Sequence, residues 1–184
     1  AVSLTGMIFR EYNNYYEYAV KELEKSLKYL YNNDFFPHTR NINHLFKNLK
    51  YLILLKESAV EAHKNLPDYL HQTIDKNLSY LKTLITPENK LPLFNGVNEV
   101  STENFEDYLV NLNLKIKKVK SPIGDIVILK NKKDTVYIDV GGPPKKLHSY
   151  NYQLGPLSFE YFSEGKKIIT NCGYGSKISK KAER

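Results

Sequence analysis

The sequence predicts an α+β fold, with helices first and strands second. Three observations predict it. Apolar residues recur at the α-helical period, about 3.6 residues, through roughly the first 112 positions. From about residue 114 the spacing changes to short apolar runs bounded by Gly, Pro, Asn and Asp. The two kinds of segment do not alternate, and a run of helices followed by a run of strands means α+β or two separate domains. The expected division is 1–112 helical and 113–184 β.

Each element has its own signal. Ala1–Phe9 fits the tail of an earlier helix. In EYNNYYEYAVKELEKSLKYLYNN the stripe is Tyr16, Ala19, Val20, Leu23, Leu27 and Leu30, with Glu and Lys opposite, and Asn32, Asn33 and Asp34 end it. Tyr15, Tyr16 and Tyr18 are expected to pack between helical hairpins. The next stripe is Ile42, Leu45, Phe46, Leu49, Leu52 and Ile53, N-capped by Asn41 and running to about Lys64. A third starts near Pro67, which suits a first helical turn, and carries Leu70, Ile74, Leu78, Leu81 and Ile85 up to the stop at Thr86-Pro87. A shorter helix is expected at Glu103–Leu112, capped by Ser101 or Thr102.

Strands are then expected in LKIKKVK (114–120), IVILK (126–130), TVYIDV (135–140), PLSFEYF (156–162) and KIITNCG (167–173). Glu164-Gly165 is a two-residue hairpin turn. Leu157, Phe159 and Tyr161 alternate with Ser158, Glu160 and Phe162 as a half-buried strand, with Ile168, Ile169 and Cys172 packing on the return. Helical hairpins of this total length can bury a core, whereas the strands alone would be marginal. Further strands are therefore expected in the intact protein, and both ends look cut: the chain opens on Ala1 and stops in KISKKAER.

Composition narrows the class. The chain has 184 residues, 41% hydrophobic and 26% charged, as in globular proteins. No apolar run approaches the roughly 18 residues of a membrane span; the longest, YLILL at 51–55, suits a buried helical stripe. The single Cys172 allows neither an internal disulfide nor a Cys-based metal site. The net charge of +7 has two readings, a lysine-rich solvated surface or attraction to an acidic partner. Its lysine pairs are scattered, with no Arg-rich recognition helix, no zinc-finger spacing and no RNA-binding aromatic signature, so an acidic polysaccharide is expected ahead of nucleic acid.

Four segments in order resemble the heparinase II/III-like polysaccharide lyases: NDFFPHTRNINHL (33–45), NKLPLFNG (89–96), VYIDVGGPP (136–144) and LSFEYFSEGKKIITNCG (157–173). The resemblance implies the end of an incomplete α/α toroid followed by the start of an antiparallel β-sandwich. It implies β-elimination at a uronic-acid residue: a polar group neutralises the sugar carboxylate, a base removes the adjacent proton, and an acid protonates the leaving oxygen. The family's Asn-His helix motif would lie before Ala1, so these residues alone are expected to be inactive. The resemblance further implies a bacterial, periplasmic or exported setting.

Residue by residue, the resemblance points to Arg40, which could grip a sugar carboxylate or pin its loop to a neighbouring helix. His44 falls near the family's tyrosine and could serve as base, or be a helix-surface histidine. His38 lies one place beyond the family's histidine and suits substrate contact or a plain loop. Active relatives carry His-x-His-x-Asp before Leu-Ser-Phe-Glu; here those positions are Asn151, Gln153 and Gly155. Asn cannot act as a base at neutral pH, and Gly155 supplies no side-chain ligand, so neither metal nor other cofactor is expected. Asn151 and Gln153 can hydrogen-bond sugar, with Tyr150 and Tyr152 able to stack or supply a phenol. His148 could replace the lost imidazole. Two rival readings remain: a non-catalytic polysaccharide-binding or envelope protein, and a basic helical module for nucleic acid or proteins.

Overall fold

The structure is a computed structural model that describes residues 2–8, 13–112, 116–150, 152, 155 and 157–172. Five helices come first: α1 (Val2–Ile8), α2 (Asn13–Leu30), α3 (Ile42–Glu61), α4 (Asp68–Leu84) and α5 (Glu103–Asn111). Four strands follow: β1 (Ile126–Lys130), β2 (Asp134–Asp139), β3 (Phe159–Ser163) and β4 (Lys166–Ile169). The strands form one antiparallel sheet in sequential order. A 3-10 turn at Lys146–His148 lies in the long β2–β3 connection.

The helices form where the stripes place them. All six stripe residues of α3 are buried, and the Asn41 side chain accepts from the Asn43 amide at 2.9 Å, closing one orphan donor of the first turn. The helix ends at Glu61, short of Lys64. Leu70, Ile74, Leu78 and Leu81 of α4 are buried too. In α2, Tyr16 is buried and its hydroxyl donates to the Asn65 carbonyl, but Tyr15 and Tyr18 face solvent; only one of the three tyrosines packs between helices. Thr102 precedes α5 without a side-chain cap, its hydroxyl donating instead to the Asn89 carbonyl, while Ser101 Oγ accepts from the Glu103 amide at 3.4 Å.

One core joins helices and sheet. Ile126, Tyr137 and Phe162 belong to the same buried cluster as the α3 and α4 stripes. Tyr137 stacks edge-on to Phe162 and donates its hydroxyl hydrogen to the Ile85 carbonyl at 3.1 Å. The Lys167 amide donates to Glu88 at 2.9 Å. The loop after α4 is as deeply placed, with Leu91, Phe94 and Val97 buried.

Several strand expectations need correction. Residues 116–120 form no strand; the Val119 amide donates to Thr83 Oγ1 on α4 instead of joining a ladder. In β3 the buried face is Glu160 and Phe162, whereas Leu157 and Phe159 are exposed. Ile168 and Ile169 are exposed, and so is Cys172. Phe162 sets the register: it packs edge-on against Tyr137 in the shared core, and Glu160 on the same face is buried with its Oε1 accepting from Lys167 Nζ and Thr170 Oγ1, both at 3.2 Å. The Glu164-Gly165 turn forms as expected, with positive φ at both residues, as a type I′ turn requires.

Candidate functional site

The site is built on the loop between α2 and α3. Asn32 Oδ1 accepts from the amides of Asp34 and Phe36, Asn77 Nδ2 on α4 donates to the Phe35 carbonyl, and the Tyr80 hydroxyl donates to the Asp34 carbonyl. A bridge between Tyr31 and Pro37 closes the loop, and the His38 amide donates to the Leu30 carbonyl at 2.9 Å. These contacts fix the direction in which residues 38–44 leave the loop.

Arg40 is the hub. It is 7% exposed and adopts φ +56°, a strained conformation for a residue with a Cβ. Its guanidinium donates to the Gly142 carbonyl (2.8 Å), to the Gly124 carbonyl (3.3 Å from Nη2) and to the buried carboxylate of Asp139. Asp125 lies 3.5 Å from Nε. Its own carbonyl accepts from Asn95 Nδ2 at 3.4 Å, while Asn41 Nδ2 donates to the Asn95 carbonyl at 3.0 Å. Three sequence segments, 33–45, 89–96 and 136–144, therefore meet at this one residue, the last at its side chain and 89–96 at its backbone carbonyl. The guanidinium pins the loop, and it does so to the end of β2 and the approach to β1 rather than to a neighbouring helix. A Cβ on Gly141 would come within 2.3 Å of Arg40 Nη2, so glycine there makes room for the guanidinium.

Imidazoles and phenols gather around this hub. The 3-10 turn sets His148 against His38, ring centroids 5.0 Å apart and nearly parallel, with Tyr29 of α2 at 5.7 Å from His148. His44, in the first turn of α3, stacks on Tyr150 at 6.5 Å, and its Nδ1 lies 3.0 Å from Thr39 Oγ1. With Nδ1–H donating to Thr39, Nε2 keeps a lone pair for a proton. Burial, assisted by Lys47, holds the His44 pKa below its ordinary value. Burial, then His148, then Lys145 does the same to His38. The Tyr152 phenol is shifted up by burial and by Asp139, with Arg40 opposing. His44 is thus neutral near pH 7 and Tyr152 keeps its proton.

Of the residues singled out in the sequence, Arg40, His38, His44, His148, Tyr150 and Tyr152 come together here. Asn151 and Gln153 lie outside the described residues. Gly155 is half-buried. Sequence reasoning missed Asp139, Thr39 and Tyr29. Asp139 had a signal, a charged residue at the inward register of a strand leading into Gly-Gly. Tyr29 lies off the apolar stripe of its helix and gave none.

A family model, "Heparinase II/III-like, C-terminal", matches residues 119–184. The match covers little more than a third of the chain and takes in all four strands. Solved structures agree in fold: heparan sulfate lyase HepC from Pedobacter heparinus matches with TM-score 0.77 and 13% identity over 94% of this chain and 31% of that one. A heparinase III gene product matches with TM-score 0.79 and 12% identity over 94% and 31%. A further heparinase III matches with TM-score 0.74 and 11% identity over 99% and 35%. The chain thus spans about a third of the length of these structures. No curated protein matches it.

Proposed function

We propose that the natural polypeptide carrying this chain is a lyase that cleaves an acidic, uronic-acid-containing polysaccharide by β-elimination. The observation that carries the reading is the presence, in the cluster around Arg40, of a proton-free imidazole, His44, stacked on Tyr150, and a proton-retaining phenol, Tyr152, within the fields of Arg40 and Asp139. Two groups whose surroundings push their pKa values apart suit base and acid roles. His44 Nε2 takes the proton from the carbon beside the sugar carboxylate. The electron pair left behind forms the new carbon–carbon double bond as the glycosidic C–O bond breaks. Tyr152 protonates the departing oxygen. Tyr150 and His148 supply stacking faces, and His38 and His148 can hydrogen-bond hydroxyls. Arg40 is a positioning residue, its donors already satisfied by protein. The assignment of 1–112 to a toroid region and 113–184 to a sandwich belongs to the same reading, as does a periplasmic or exported setting.

A second reading keeps the fold without the chemistry. The absence of a donor at Gly155 favours it, because a dismantled metal position suits a protein that only binds saccharide.

The natural polypeptide should be incubated with a panel of uronic-acid polysaccharides, including heparan-type chains and alginate, while the ultraviolet absorbance of unsaturated uronate is followed. A lyase gives a rise. The rate should climb with pH through a value below the ordinary 6.5 of His44 and fall only above the ordinary 10 of Tyr152. His44→Gln and Tyr152→Phe should each cost about 100-fold or more in kcat. Binding without any absorbance change, from folded protein, would select the second reading.

A further inference from the structure

Beside the imidazole cluster lies a cleft of about 550 Å3 that the proposed chemistry leaves unused. Its sides come from α4, from the α2–α3 loop, from residues 119–125 and from the segment leading into the 3-10 turn. Three lysines from three different segments line it: Lys76, Lys120 and Lys145. All three are exposed, and among the described residues none of their ammonium groups has a hydrogen-bond or ion-pair partner. Two acids also line the cleft. Asp34 and Asp125 oppose the lysines, and with Arg40 already balanced by Asp139 the three lysines still leave a surplus of positive charge. A concave site with surplus positive charge attracts anions more strongly than a flat surface does. Its volume falls within the range of small-molecule sites, about 300–1,000 Å3. The cleft is continuous with the candidate site, because His38 and Arg40 line it too.

We propose that this cleft is a subsite for an anionic substituent, sulfate or carboxylate, of the acidic saccharide whose backbone lies at His44 and Tyr152, held by Lys76, Lys120 and Lys145. The inference rests on the reading given under Proposed function. It assigns these three lysines a specificity role rather than a catalytic one. It also links cleft and imidazoles. Lys145 helps keep His38 unprotonated, so an anion docked against Lys145 offsets that repulsion and raises the His38 pKa.

The test compares the full chain with a Lys76→Gln/Lys120→Gln/Lys145→Gln variant and a charge-matched control, Lys21→Gln/Lys132→Gln/Lys166→Gln. The probes are a sulfated heparin hexasaccharide, its fully desulfated counterpart and a duplex DNA of similar charge. Affinity is measured by calorimetry, and the His38 pKa by the proton resonances of its ring. The cleft variant should bind the sulfated probe about tenfold more weakly, and the control within about twofold of the parent. If the cleft takes sulfate, the desulfated probe is insensitive to the variant; if it takes carboxylate, both probes weaken alike. In either case saccharide raises the His38 pKa in the parent chain and not in the cleft variant. Equal losses in cleft variant and control, or equal losses for DNA, would reduce the lysines to general surface charge and overturn the subsite. Unchanged affinity in the cleft variant would overturn the subsite alone. Failure of the parent chain to bind either saccharide would overturn both the subsite and the reading beneath it.

Discussion

Arg40 and Asp139 form a buried pair; the guanidinium also donates to the backbone carbonyls of Gly124 and Gly142, and the Asp139 carboxylate also accepts from the Gly141 amide. Removing one partner leaves the other charge uncompensated in a site that excludes water. Arg40→Ala should lower unfolding free energy by about 3–5 kcal/mol, read from urea midpoints at constant m-value. A purely ligand-binding arginine would leave the midpoint in place. Lysine should rescue poorly, since one ammonium cannot reach three acceptors in a planar fork. This role was half legible in the sequence. The arginine stood out through its segment, and pinning was one of its two readings, but its partners lie about a hundred positions away and no local pattern announces them. His148 is similar: its approach to His38 depends on a 3-10 turn that the GGPPKK loop does not spell out.

At the scale of elements, the helices were the most legible part. Each stripe buries against a neighbour at the helical period, so α3 and α4 appear with boundaries within a few residues of expectation. The strands were less legible because burial in them is decided across the sheet. Glu160 is buried beside Phe162 and meets Lys167 and Thr170 from the next strand and beyond, a pairing invisible in the alternation LSFEYF. Residues 116–120 have strand-like spacing yet lie along α4. The turn before β1 carries a sharper constraint. Gly124 has φ +53°, and a Cβ there would meet the Phe36 ring at 2.1 Å. Phe36 is itself fully buried. Gly124→Ala should therefore destabilise by about 2 kcal/mol or more, through both backbone strain and overpacking. Thermal midpoints would check this. A paired Phe36→Leu change should recover part of the loss.

On the whole-molecule scale, helices and sheet share a single buried cluster, with Tyr137 and Phe162 reaching the end of α4. A sheet of four short strands held this way has little core of its own. Unfolding of the full chain should then be one cooperative event. Far-ultraviolet circular dichroism, dominated by helix, and tyrosine fluorescence should give coincident urea transitions. Tyrosine is a usable probe because the chain has fifteen and no tryptophan. Two separated transitions would mean that the regions before and after residue 112 behave as independent units.

The Arg40 contacts also bear on the order of folding. They join residues 84, 99 and 102 positions apart, among the longest chain closures in the molecule. Loop-closure entropy grows slowly with length, so these bonds cost little more than shorter ones once made, but the search for them is long. The helical hairpins, with local contacts, can assemble first. If the guanidinium finds its carboxylate after the rate-limiting barrier, Arg40→Ala should speed unfolding in stopped-flow urea jumps and leave the folding limb in place. An interaction that forms on the native side of that barrier holds the native state by slowing its escape, leaving the rate of arrival nearly untouched. The bolt between helices and sheet is thus a brake on unfolding, and the lifetime of the assembled cleft is set there.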